Sequence, residues 1–173
     1  MVGEIMEAQE KAERKIWQKF LASANQADLL RSVVTVNYDD VNMEHPLTQK
    51  ILTDGTVDKA VVLAFYWRNA PRYKKQYDSI DDVPEWNREN YRLIQQIEEQ
   101  YLNGFYTVSN IFYDPKSDYG EDFTKDYLEH DPHGKLPKRM EEALEGEFVE
   151  EDAHDVFEDG LPFDLAEEIF NLY

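Results

Sequence analysis

The only closely spaced histidines lie in the run His130-Asp131-Pro132-His133. Two imidazoles with Asp126 or Glu129 beside them form a donor set suited to a transition metal. A metal-dependent hydrolase is the enzyme that such a set would imply. Pro132 interrupts helical spacing between the rings, and the chain has no His-Glu-x-x-His pair. A solvated loop is therefore the simpler reading. Asp39-Asp40 precedes His45 and Asp58 in a loop-rich stretch. Paired carboxylates do acid–base work when burial splits their pKa values, but aspartates also make caps and turns. The sequence favours caps and turns here. Asp114 to Asp122 offers oxygen ligands and one glycine without the alternating spacing and terminal glutamate of a calcium loop.

Other chemistry lacks its residues. There is no cysteine, so thiol catalysis, disulfides and cysteine-ligated zinc are excluded. No serine sits in a Gly-x-Ser-x-Gly setting, and the seven glycines form no phosphate loop or dinucleotide fingerprint. No catalytic, metal or cofactor-binding residue is assigned, and a non-enzyme is expected.

Charge is the strongest signal. The 173 residues carry 37 acids and 18 bases, a net of −19. Residues 1–86 hold 14 acids and 11 bases, whereas residues 87–173 hold 23 acids and 7 bases. From Glu141 to Tyr173 there are 13 acids and no Lys or Arg. Phosphate contacts need a basic surface, so nucleic acid is not an expected partner. The one basic cluster, Arg68, Arg72, Lys74 and Lys75, reads as an internal partner for the acidic third or as part of an interface. The acidic stretch reads equally as a solvated surface or as a docking face that steers a basic protein. The candidate partner-binding residues are Glu141, Glu142, Glu145, Glu150, Glu151, Asp152, Asp155, Phe157, Glu158 and Asp159. Interleaved Leu144, Phe148, Val149, Val156, Phe157, Leu161 and Phe163 argue against a disordered acidic tail; they either anchor the segment to the core or provide apolar hot spots inside a charged rim.

The elements that must position these groups are mostly helical. Ile5, Ala8, Ala12, Ile16 and Phe20 recur at helical spacing over Val2–Ala22. Ala27, Leu30, Val33 and Val34 suit a short helix, although Val33–Tyr38 also suits a strand. Pro46 opens a helix to Leu52, and Thr56 is the expected N-cap of the next. That next helix is apolar all round to Trp67, which predicts the centre of the domain. A long helix is expected over Pro84–Asn103, capped by Asp82, striped by Trp86, Asn90, Leu93, Ile97 and Tyr101, and ended by Gly104. Phe105–Tyr113 is strand or helix, with β propensity favouring strand. A short helix is expected over Lys138–Leu144, closed by Gly146. A final one over Phe163–Leu172 should turn Phe163, Ala166, Ile169, Phe170 and Tyr173 inward. Short linkers fit 74–83 and 116–137.

A 42% hydrophobic fraction supports a folded core, and the length fits one domain over 1–173, its acidic segment 141–173 packed on a helical core. The expected fold is mainly α, a helical bundle-like domain with a small β element; α+β is the alternative. With no signal-peptide core and no apolar run of membrane-spanning length, a soluble cytoplasmic protein with no membrane partner is expected. Oligomeric state is open.

His45-Pro46-Leu47, the run Asp54-Gly55-Thr56 through Trp67, Ile94 and Ile97, Gly104-Phe105-Tyr106 and Asp114-Pro115 together resemble a family of small bacterial domains of unknown function encoded near polymorphic-toxin genes. These are mainly core and turn residues, so the resemblance implies a fold and transfers no site residue. It implies an immunity protein that binds a basic toxin, plausibly a nuclease, in a bacterial competition system. A non-catalytic regulatory module is the alternative.

Overall fold

The structure is a computed structural model that describes residues 2–131, 133–150 and 152–173. Its described part is mainly helical, with one two-stranded antiparallel sheet. In chain order the elements are α1 (Val2–Ser23), α2 (Gln26–Thr35), α3 (Pro46–Thr53), α4 (Lys59–Arg68), α5 (Pro71–Lys74), α6 (Arg88–Leu102), β1 (Phe157–Glu158), β2 (Leu161–Pro162) and α7 (Phe163–Phe170). No helix among the described residues is long and apolar enough to cross a membrane.

Local chemistry explains where the helices begin. Asn25 accepts the Asp28 N–H at 2.9 Å and Asp28 reaches back to the Asn25 N–H at 3.4 Å, a reciprocal cap that commits 26–35 to helix. Val33–Thr35 thus completes α2 instead of forming a strand. Pro46 occupies the first turn of α3, and His45 Nδ1 accepts the Leu47 N–H at 3.2 Å. The cap of α4 is Asp58, not Thr56. Its Oδ1 accepts the Ala60 N–H at 2.9 Å, while Thr56 is held in the preceding turn by Asp54. Asp58 is wholly buried, and its Oδ2 also accepts the Asn110 N–H at 2.7 Å. It ties the start of α4 to the later chain, a long-range role that decides the cap in its favour.

α4 is the axis of the core. Every side chain from Ala60 to Trp67 is at most 1% exposed. α2 and α6 pack against it, α1 lies against α3 and α7, and one contiguous apolar cluster runs from Trp17 to Leu165. The acidic third therefore shares the core of the earlier helices.

Four expectations change. The long helix starts at Arg88, after a 3-10 turn over Glu85–Asn87 that leaves Trp86 67% exposed; Asp82 does not cap it. Gly104 ends it as expected, with φ +78°. The stretch 105–113 is neither helix nor strand. It is extended and makes isolated backbone pairs, Lys59 N–H to Val108 O at 2.9 Å and Leu144 N–H to Tyr113 O at 2.7 Å. The expected 138–144 helix shrinks to a 3-10 turn, Lys138–Glu141, because the chain beyond it pairs with 110–113. In α7 the inward stripe is Leu165, Ala166, Ile169 and Leu172, with Phe163, Phe170 and Tyr173 exposed.

Candidate functional site

The basic cluster turns inward. Arg68 grips Asp118 with two hydrogen bonds of 2.9 Å, and Tyr113 Oη donates to the same carboxylate at 2.8 Å. The guanidinium also reaches Val34 O at 3.1 Å and lies 4.9 Å from the Phe123 ring centre. Arg72 donates to Thr124 O at 2.5 Å, approaches Asp131 and Glu141 at 3.6 and 3.4 Å, and stacks over Trp67. Lys75 binds Glu98 at 2.5 Å, which also accepts Tyr66 Oη at 2.8 Å. Burial raises the Glu98 carboxyl above its usual range, against the opposing pull of Lys75 and Tyr66. Lys74 donates to Asn69, and its own pKa falls to about 8 through burial. The Arg68 and Arg72 clips fasten Asp118, Thr124, Asp131 and Glu141 to the helical core, while Lys74 and Lys75 tie the end of α5 to Asn69 and to α6.

The candidate acids fall into three groups. Glu141 is half-buried beside Arg72. Glu142, Glu145, Glu150, Asp152, Asp155, Glu158 and Asp159 are exposed and make no ion pair among the described residues. Asp152 also caps the turn that follows, accepting the His154 N–H at 2.9 Å. Glu151 lies outside the described residues. Phe157 differs from the acids: it is 5% exposed and packs edge-on against Phe20 at 5.8 Å, so it belongs to the core cluster. The exposed aromatic of this segment is Phe148, stacked on Phe112 at 4.3 Å.

The other motifs resolve into local structure. His130 sits among Tyr73 and Tyr127, at 5.6 and 6.1 Å, while His133 is exposed; Pro132 lies outside the described residues. Among the described residues no group of three or more His, Asp or Glu is placed to hold a metal ion. Asp39 and Asp40 join a turn with Asn37, far in role from buried Asp58. Asp114, Asp118 and Asp122 close turns or pair with Arg68.

One concavity was not foreseen as a unit. A groove of ≈ 1230 Å³ runs between α1, the 36–45 loop, the β1–β2 hairpin and α7. Trp17, Val36, Leu161 and Ile169 line it, with Glu13, Asp40, Glu158, Asp159 and Glu167 among its polar residues. His45 also lines it, edge-on to Trp17 at 4.7 Å. Burial lowers the His45 pKa to about 4, and because Nδ1 accepts a backbone N–H, the ring proton sits on Nε2. Tyr173 Oη donates to Glu13 at 2.8 Å across the mouth. The missed signal lay in α7. There and in the residues that follow it, Phe163, Phe170 and Tyr173 lie one or two positions from Leu165, Ile169 and Leu172, and the second set turns inward with Ala166.

Fold and site define a small, strongly acidic α-helical domain whose central basic cluster, Arg68, Arg72, Lys74 and Lys75, turns inward and whose acids without an ion pair face outward. The chain belongs to the family DUF4274, a domain of unknown function, whose pattern matches residues 15–102. That match holds α2 to α6 and the C-terminal part of α1, the scaffold on which the acidic segment packs. No curated protein and no solved structure matches the chain.

Proposed function

We propose that this protein is a non-catalytic binder that neutralises a basic protein toxin, plausibly a nuclease, as an immunity protein does. The observation that carries this reading is the set of exposed acids without an ion pair among the described residues, from Glu142 to Asp159, on a segment held to the core by the Leu144–Tyr113 and Glu147–Asn110 backbone pairs and by buried Ala153 and Phe157. A solubility surface needs no such anchoring. A docking face does, because fixed charges steer and orient a partner where floppy ones only attract it. The toxin's own anion-binding surface supplies the complementary charge, and covering it blocks its action. The resemblance of 45–115 to toxin-associated domains supports the same reading.

The test is capture from a lysate of the source at low salt and then at about 0.5 M salt, where the screening length is only a few ångströms. The captured protein is then expressed in cells with and without this chain. One basic protein at near-equal stoichiometry, toxic alone and harmless when co-expressed, is the expected result. A salt-labile mixture without a toxic member refutes it. Charge reversal of Glu150, Glu151 and Asp155 to Lys should slow association and weaken its salt dependence. An unaltered association rate would remove those acids from the docking face.

A further inference from the structure

We propose that the groove beside α7 is the docking site for a cationic polypeptide segment, one that carries an apolar or aromatic anchor flanked by Lys or Arg. The proposal rests on the reading above and names the part of the partner that this chain grips.

Three features select this occupant. The first is an apolar floor with unsatisfied aromatics beside it. Phe170 is 81% and Tyr173 72% exposed, although both sit next to an apolar surface made by Trp17 and Ile169. Exposed aromatics at the edge of a concavity are the side chains that become hot spots when a partner covers them. The second is charge. Five carboxylates line the groove, and no Lys or Arg does. On α1, Arg14 approaches Glu44 at 3.7 Å and Lys19 approaches Glu168 at 3.6 Å. A second copy of this chain, docked about a two-fold axis, would bring the same acids face to face. A basic segment meets them favourably. The third is size. At ≈ 1230 Å³ the groove exceeds the roughly 300–1,000 Å³ of small-molecule sites and is open along its length, which suits a length of polypeptide. His45 Nε2 has no partner among the described residues and leaves an N–H for a backbone carbonyl of that segment.

The test uses the full chain and three synthetic peptides of equal length: an amphipathic Leu/Lys peptide, its Leu/Glu counterpart, and a Lys/Ser peptide without apolar residues. Calorimetry gives affinity, and amide shifts give location. The Leu/Lys peptide is expected to bind one to one, with shifts at Trp17, Val36, His45 and Ala166. The Lys/Ser peptide should bind about tenfold more weakly or worse, and the Leu/Glu peptide not at all. Phe170→Ser with Tyr173→Ser should weaken the Leu/Lys peptide by about tenfold or more, and Glu158→Lys with Glu167→Lys should do the same while flattening its salt dependence. Glu142→Lys with Glu145→Lys should change it by less than about twofold. The two groove pairs are independent, so loss of fold in one leaves the other decisive. Binding that ignores both groove pairs, or shifts confined to 142–155, overturns the groove and leaves the basic-partner reading on the acidic face. No binding of either cationic peptide overturns both. A dimer in sedimentation that Phe170→Ser with Tyr173→Ser dissolves assigns the groove to a second copy and overturns the proposal.

Discussion

Removing Asp118 should be one of the most damaging single changes available in the acidic half. The carboxylate is 2% exposed and the facing Arg68 side chain 15%. Asp118→Ala leaves the guanidinium with only Val34 O as a described hydrogen-bond acceptor, and it strips Tyr113 Oη of its acceptor. Breaking one side of a buried pair costs about 3–5 kcal/mol, because the remaining charge is stranded. For a chain of this length about 1 kcal/mol moves Tm by roughly 2–4 °C, so a fall of about 6–20 °C is expected. Urea unfolding of the wild type, Asp118→Leu, Arg68→Met and the double variant Arg68→Met/Asp118→Leu forms a cycle, with Asp118→Ala measured beside it. Each single change should be costly, and the double should cost about as little as, or less than, either one, since two apolar groups replace two charges. Additive costs, or an Asp118→Ala penalty below about 1 kcal/mol, would refute the claim that this clip holds the 113–124 segment to α4.

Other outcomes follow from the same geometry. His45 is lowered from 6.5 to about 4 by burial, so the unfolded chain binds its proton first; stability should fall on acidification between about pH 6.5 and pH 4, and His45→Asn, which keeps a capping side chain, should flatten that part of a Tm-against-pH curve relative to wild type. Asp58→Ala removes a cap and leaves the Ala60 and Asn110 N–H groups short of an acceptor, for a loss of about 2–4 kcal/mol in denaturant unfolding, whereas Thr56→Ala should cost less than about 1 kcal/mol. Gly146→Ala would set its Cβ 2.3 Å from Asn110 O, a backbone atom, so it should open the pairing of 110–113 with 144–147 and speed amide exchange there.

The parts of the fold that were legible are those written in local periodicity. The all-round apolar run Ala60–Trp67 could only be central, and Pro46 and Gly104 mark helix ends by backbone chemistry that acts within a turn. What failed was long-range. Thr56 and Asp58 are both N-cap types, Asp the stronger, and Asn110 fixes the choice by binding the second Asp58 oxygen. Trp86 fits the stripe of α6 in spacing, yet the 3-10 turn rotates it out before the helix begins. In the 105–113 stretch the β-branched and aromatic residues do form extended chain, but its backbone partners come singly, from 59 and from 144–147, so no strand develops. The acidic candidates were visible as charge. Their division into interior partners, such as Glu141, and free ones, such as Glu142, depends on where Arg72 ends up and on no feature of the acidic segment itself.

The placement of the bases gives the charge asymmetry its meaning. A net charge of −19 spread over mobile chain would weaken the compact state and orient nothing. Here Arg68 and Arg72, from the family-matched region, are used on Asp118, Asp131 and Glu141 in the part beyond it. The pairs with Asp118 and Asp131 neutralise buried acids, and that with Glu141 a half-buried one. The acids left over are then held at set positions on a surface with no bases among residues 141–173 to quench them. The same economy governs the groove, where Tyr173 satisfies Glu13 and local residues satisfy Arg14 and Lys19, leaving Glu158, Asp159 and Glu167 without an ion-pair partner beside exposed aromatics. Arg68 and Arg72 are taken up by acids of the middle segment, and Glu158, Asp159 and Glu167 are left without an ion pair beside α7; under the function proposed above, that edge meets positive charge and the exposed Phe170 and Tyr173 supply the affinity.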